Sequence, residues 1–228
     1  MDKRTSGYYR EEFNRMACMY DPAVSLIGAV FGGEKRLRRK ILKFADIKDG
    51  DRVIDIGCGT GTSALIIAGD VGDKGEVVGI DLSDRMLDVA RRKLEKHRFR
   101  NVTFLKANAE EIPYPDSYFD KVTAFASLHE MNHEGRINTL REIERLLRRG
   151  GMALIADYNN MPEKIAGMLL IRFLLAVFEG DTARDMVMRG IDSEIKEAGV
   201  DLRIVKKEGI LCDAGQVLLI ENCKGVRG

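Results

Sequence analysis

Apolar and polar positions alternate in two rhythms along this chain. Short β-branched runs recur at 53–56, 76–81, 101–106, 120–126 and 152–157, the pattern of buried strands. Between them, apolar residues return every three or four positions, the period of a helix packed on one face. Such segments follow the first run from Thr62 through Ala68, the second from Ser83 to His97 and the fourth over 134–148. In the last, Ile137, Leu140, Ile143 and Leu147 fall on one side, and Gly150-Gly151 is expected to end the helix. Strand–helix alternation of this kind predicts a parallel sheet with helices on both faces. A further helix is expected over 192–198, closed by Gly199, and strands over 201–208 and 216–223.

Two regions depart from the alternation. Before the first strand, Tyr9, Phe13, Met16 and Tyr20 recur at helical spacing until Asp21-Pro22 breaks the helix. A short apolar stretch at 26–31 follows. Residues 34–44 then form an amphipathic helix with a basic outer face. Between strands five and six, residues 165–178 are almost uniformly apolar, interrupted by Arg172. That stretch is too short and too interrupted to span a bilayer, and a helix apolar all round must be buried somewhere. It reads either as a core or dimer helix, or as the wall of a pocket for a lipophilic substrate or a membrane-contacting lid.

Composition narrows the classes. A chain of 228 residues, 45% of them hydrophobic, can bury one sizeable core. A net charge of +1 provides no global field to gather nucleic acid. The basic runs of 34–44 and 91–100 read as solvated helix faces; the first could also touch phosphates or an anionic membrane surface. Cys18, Cys58, Cys212 and Cys223 are far apart, and with three scattered histidines no metal-ligand spacing appears, so no metal is expected. Reduced thiols, and the lack of an apolar leader segment at the amino terminus, point to a cytoplasmic protein.

The chemistry concentrates at 53–61. A strand carrying Asp55 runs into Gly57-Cys58-Gly59-Thr60-Gly61 and then into a helix. Glycines let backbone approach a ligand, the helix start favours a carboxylate or phosphate, and an acid at the strand end suits a positive group. Asp81, ending strand two, can accept two hydrogen bonds from a ribose diol. A dinucleotide fingerprint can be drawn from Gly59-x-Gly61-x-x-Ala64 with Asp81 beyond it. Its register is wrong, because the first glycine after the strand is Gly57 and that frame puts Thr62 at the last small position.

The order Asp-x-Gly-x-Gly-x-Gly, Gly-Ile-Asp-Leu-Ser, Asn-Ala-Glu-x-x-Pro-x-x-Asp-x-x-Phe-Asp and Glu-x-x-Arg-x-Leu-x-x-Gly-Gly covers about residues 50–160. It resembles the class I S-adenosylmethionine (SAM) methyltransferases, and is most similar to the ubiquinone/menaquinone-biosynthesis C-methyltransferase group. The Phe13-Asn14-Arg15-Met16-Ala17 stretch and Tyr20-Asp21 look like that group's opening.

The resemblance implies a Rossmann-like, doubly wound, mostly parallel seven-stranded α/β sheet with an antiparallel last strand, N-terminal helices and a helical insertion between strands five and six. It implies one domain over 1–228: an N-terminal cap (1–49), a SAM-binding core (50–160), a helical substrate-side segment (161–200) and the last two strands (201–228). By position, Asp55, Gly57 and Cys58 would lie by the methionine part of SAM, and Gly59 and Gly61 would let backbone approach it. Asp81 would hold the ribose, with Leu82 and Met86 beside the adenine, Asn108, Ala109 and Glu110 at its edge, and Tyr20 closing over the cofactor. The group has Asp where this chain has Asn108. His129, just past strand four, is the candidate general base, with Glu130 and His133 as alternatives; it could equally pack or cap the next helix. The implied activity is methyl transfer from SAM to a small, lipophilic acceptor, such as a quinone-precursor ring carbon, with no nucleic-acid partner, at most peripheral membrane contact, and a homodimer open. A different small acceptor, a nucleotide-dependent oxidoreductase and a non-catalytic SAM-binding module are the competing readings.

Overall fold

The computed structural model describes residues 33–160, 162–177 and 180–225. Seven strands form one sheet in the order β3-β2-β1-β4-β5-β7-β6. These are β1 (Arg52–Ile56), β2 (Glu76–Asp81), β3 (Val102–Lys106), β4 (Phe119–Phe125), β5 (Leu147–Tyr158), β6 (Leu202–Ile210) and β7 (Gly215–Asn222). β1 pairs in parallel with β2 and β4, β2 with β3, and β4 with β5; β7 runs antiparallel to both β5 and β6. A central parallel strand is covered on both faces, which is why Val53, Ile54 and Ile56 are all apolar rather than alternating.

Helices cover the two faces. α1 (Glu34–Leu42), α2 (Thr62–Val71) and α3 (Asp84–Leu94) enclose one core with Val53, Val77 and Phe104. α4 (His133–Leu146) and α7 (Ile191–Ala198) enclose the other with Ile54, Ile56 and Val122. Side-chain caps close two helix starts, Ser83 as the sequence suggests and Asn132 in addition. Ser83 Oγ accepts the Met86 N–H at 3.2 Å, and Asn132 Oδ1 accepts the Gly135 N–H at 2.7 Å.

Three expectations need correction. α4 stops at Leu146 rather than at Gly150-Gly151, because Leu147 turns extended and pairs with Phe119 while its side chain is fully buried. The glycine pair therefore lies inside β5, with Gly150 at φ 69. A helix that the sequence pattern did not announce, α6 (Asp181–Arg189), precedes α7; only Ala183 and Met186 on it are buried, too sparse a stripe to stand out. The apolar helix α5 (Ile165–Val177) is not buried all round: Ile165 is 72% exposed, Leu169 62% and Phe173 56%. Among the described side chains Gly167 and Ile171 are buried, with Leu170, Leu174 and Leu175 half-buried beside them. Gly167 lies so close to the backbone of 212–214 that a Cβ there would meet the Cys212 carbonyl oxygen. No helix among the described residues is long and apolar enough to cross a membrane.

A buried ion cluster fastens α6 and α7 to the core. Arg136 is fully buried; its Nε donates to Glu194 at 2.9 and 3.0 Å, and its Nη2 to Asp185 at 2.6 Å. Its Nη1 donates to the Met131 carbonyl at 2.7 Å. His133, Asp185 and Glu194 stand close enough to ligate one metal ion, but the Arg136 guanidinium occupies the acids as their counter-charge. Removing one member of a buried pair strands the other. Arg136→Met is therefore expected to lower unfolding free energy by about 3–5 kcal/mol in urea titration, with much of that recovered in Arg136→Met/Glu194→Leu. A loss below about 1 kcal/mol in the single variant would show that the cluster does not hold the segment in place.

Candidate active site

The glycine turn leaves the carboxyl end of β1, flanked by the ends of β2 and β4, and its three glycines do different work. At Gly57 (φ 64) a Cβ would lie 2.5 Å from the Ser127 Cβ, so the turn can press against the end of β4 only without a side chain. At Gly61 (φ 77) a Cβ would strike Phe104 and Ala90, so the start of α2 can pack against β3 and α3 only without a side chain there. Gly59 (φ 53) has nothing near its missing Cβ, and it alone of the three offers bare backbone to open space.

Two acids fix the turn. Asp81 Oδ2 accepts the Gly59 N–H and Oδ1 accepts the Ser83 N–H, both at 2.8 Å. Burial pushes the Asp81 carboxyl above its ordinary value, against those two bonds. Asp55 is buried beneath the turn. Its Oδ1 accepts the Thr123 hydroxyl at 2.7 Å, while its Oδ2 is buried with no hydrogen-bond partner among the described residues. Burial, reinforced by the Asp81 charge and opposed by Thr123, Arg38 and the nearby Ala64 N–H, raises the Asp55 pKa from 3.8 to about 6. A buried acceptor left open is costly unless something arrives to fill it. Burial, with the charges of Asp55 and Asp81, also pushes the Cys58 thiol up, so it is not a reactive thiolate.

An open cleft of about 510 Å³ lies over the turn, lined by Arg38, Gly57, Cys58, Gly59, Asp81 and Met86 on one side and by Phe125–Ser127 and Glu130 on the other. Arg38 comes from α1: its Nη1 donates to Ser63 Oγ at 2.8 Å, and its guanidinium stands 5.7 Å from the Phe125 ring centre. Leu82 is half-buried beyond Asp81, and Asn108, Ala109 and Glu110 lie outside the cleft lining. Asn108 Oδ1 accepts the Glu110 N–H at 3.2 Å, Ala109 packs in the core, and Glu110 accepts from Asn138 on α4 at 3.0 Å. The Glu110 side chain is thus committed to α4. Tyr20 lies outside the described residues.

His129 sits on a short 3₁₀ turn, Leu128–Glu130, after β4. Its ring is buried, edge-on to Tyr158 at 4.9 Å, with Nδ1 2.7 Å from Asp157 Oδ1. Asp157 also accepts the N–H groups of Leu128 at 3.0 Å and Tyr158 at 2.8 Å. Burial would raise its pKa, but the pairing with His129 and these bonds outweigh it and hold it below the usual carboxylate value. An acid that only accepts requires His129 Nδ1 to be the donor, which leaves Nε2 as the basic nitrogen. Nε2 lies 3.8 Å from Glu130, whose residue lines the cleft. His133 is turned away, to Glu194 and Glu197.

Sequence reading missed Asp157, Thr123, Ser127 and Arg38. Asp157 was within reach, since it is a third acid at the carboxyl end of a strand. Nothing in the basic run of α1 marks Arg38 out from its neighbours.

A family model described as a methyltransferase domain matches residues 47–185. A demethylmenaquinone methyltransferase of Bacillus cereus (strain AH187) is 34% identical over 145 residues, covering 64% of this chain and 60% of that protein. This chain therefore matches about three-fifths of the length of such curated relatives. The fold is shared with a SAM-dependent methyltransferase from Aquifex aeolicus (TM-score 0.63, 22% identity, 81% of this chain and 88% of that one). It is also shared with the [4+2]-cyclase SpnF (TM-score 0.62, 18% identity, 91% and 95%).

Asp55 gives a pH test of this geometry. Its folded pKa lies above its unfolded value, so its contribution to stability is complete below pH 3.8 and lost as pH rises through about 6. Asp55→Asn is therefore expected to be more stable than the parent at pH 8, by up to about 3 kcal/mol, with the difference fading toward pH 4. Thermal melts across that range check it; a constant difference would mean that Asp55 is not strained by burial.

Proposed function

The chain belongs to the methyltransferase-domain family, and on that footing we propose that it transfers a methyl group from SAM to a small, lipophilic acceptor. The observation that carries the cofactor half is the orphaned Asp55 Oδ2 beneath a bare Gly59 backbone, with Asp81 at the rim. These residues fit SAM. Asp55 would meet the positive methionine end, the Gly59 backbone, its N–H already held by Asp81, would line its path, and Asp81 would receive the ribose hydroxyls through its remaining lone pairs. Arg38 is placed to attract the carboxylate, and Met86 and Leu82 to flank the base. When bound, SAM supplies an electrophilic methyl group.

The chain's own work is then to position the acceptor and remove its proton. Asp157 holds His129 in the tautomer whose Nε2 is the proton acceptor, and Glu130 beside it can stabilise the imidazolium that forms. His129 is the base and Asp157 a positioning residue in this reading. Support for a lipophilic acceptor comes from the exposed apolar face of α5, and from the relatives whose name specifies demethylmenaquinone. A demethylated menaquinol is accordingly the acceptor to try first; its ring carbon is activated by the adjacent hydroxyls.

Incubation with methyl-labelled SAM and a short-chain demethylmenaquinol is expected to give labelled quinol. His129→Gln should lower kcat by about 10²–10⁴-fold, the usual worth of a positioned base, with the SAM dissociation constant unchanged. Undiminished turnover in that variant would remove His129 from the mechanism. Label transfer only to acceptors that lack an apolar tail would remove the lipophilic acceptor.

A further inference from the structure

Beside the cleft lies a second concavity that the proposed chemistry does not use. It runs along the outer side of α2 between α1 and α3, an open volume of about 1160 Å³. Its floor is apolar: Leu65 and Ile66 of α2, and Phe99, whose ring stacks on His97 at 5.3 Å. From Thr62 to Asp70 the α2 side extends about 12 Å. Its rim is cationic on both banks, with Lys35 and Arg39 from α1 facing Lys93 from α3 and Lys96 just beyond its end. One acid, Asp70, is among the lining residues.

Two basic runs some sixty residues apart in the chain, each of which reads alone as an ordinary solvated helix face, are thus brought to the two sides of one groove. Lys35, Arg39 and Lys96 form no ion pair among the described residues, whereas most other cations near the cleft do: Arg38 holds Glu34 and Arg91 holds Asp88. The groove also touches the active site. Thr62 lines both concavities, and Lys93 Nζ donates to the hydroxyls of Thr60 and Thr62 at 2.8 and 3.0 Å.

We propose that this α1–α3 groove docks the protein on an anionic lipid bilayer, the lysines and Arg39 meeting lipid phosphates while Leu65, Ile66 and Phe99 meet the first acyl carbons. A positive rim around an aliphatic floor complements a surface whose charge and apolar phase are stacked in depth. A nucleic acid would match the rim but not that floor, and the overall charge of +1 gives it no wider attraction. The inference stands on the groove and does not depend on the identity of the methyl acceptor. Its consequence is that the turn bearing Thr60 and Thr62 would lie near the membrane plane.

The test is sedimentation of the full chain with vesicles of phosphatidylcholine alone or mixed with phosphatidylglycerol. Binding is expected to the anionic vesicles and to fall with added salt. Lys35→Glu/Arg39→Glu/Lys96→Glu should weaken it by about a hundredfold, each basic side chain at such a surface contributing about fivefold. Arg149→Glu/Arg203→Glu/Lys224→Glu, outside the groove, should bind as the parent does. Melting temperatures of both variants identify any loss due to misfolding. The chain has no tryptophan, so Phe99→Trp places a single reporter in the floor, and brominated lipids should quench it on anionic vesicles. Equal binding to neutral vesicles, equal weakening by both triple variants, an unquenched Trp on bound protein, or capture of RNA with no vesicle binding would each overturn the proposal.

Discussion

The site depends on one carboxylate that the fold buries and leaves half-satisfied. Asp55 lies near the end of β1, held by Thr123 through one oxygen, while the other has no partner within hydrogen-bond distance and only the Ala64 N–H near the carboxyl. A side chain that served the fold alone would be better replaced by an amide or an apolar group. The cost is tolerable because the strands around it are packed on both faces, and β1, β2 and β4 hold their register rigidly. Rigidity on either side fixes the turn above: Gly57 rests on Ser127, Asp81 ties down Gly59, and Gly61 seats α2. What remains open between these contacts is the cleft.

The same logic extends across the strand ends. Asp55, Asp81 and Asp157 terminate or nearly terminate β1, β2 and β5, and each meets a different need. Asp81 organises backbone, Asp157 organises an imidazole, and Asp55 holds Thr123 with one buried oxygen unsatisfied. Their environments set their pKa values apart in kind: burial without enough donors raises Asp55 and Asp81, while the His129 pairing and backbone N–H groups lower Asp157. The Arg136 cluster carries this order outward, since it joins the Met131 carbonyl, just beyond His129, to α6 and α7. The insertion and the candidate base thus share one buried anchor.

Much of this was legible before any coordinates. Continuous β-branched runs and the period-3.6 rhythm marked the strands and most helices, because parallel strands buried on both faces and helices buried on one leave different signatures. The glycine turn, Asp81 and the Ser83 cap were readable for the same reason, since each is a local demand on backbone. What was not readable was set by tertiary choice. Leu147 left its helix because a buried pairing with Phe119 was available. α5 exposes its apolar face because only the stripe around Gly167 and Ile171 finds the chain. The turning of Glu110 toward Asn138, and of Gly61 toward Phe104, could not be seen in residue type at all.

Fold alone does not decide the chemistry, as the likeness to a cyclase and to a methyltransferase makes plain; the reading rests on what the cleft over Gly59 holds. Calorimetric titration of the full chain with SAM, S-adenosylhomocysteine and NADH in parallel tests that most directly. The account predicts saturable binding of the two adenosyl ligands, none of NADH, and loss of binding in a folded Asp81→Ala protein. Binding of NADH alone would contradict it, and would mean that the glycine turn serves a dinucleotide.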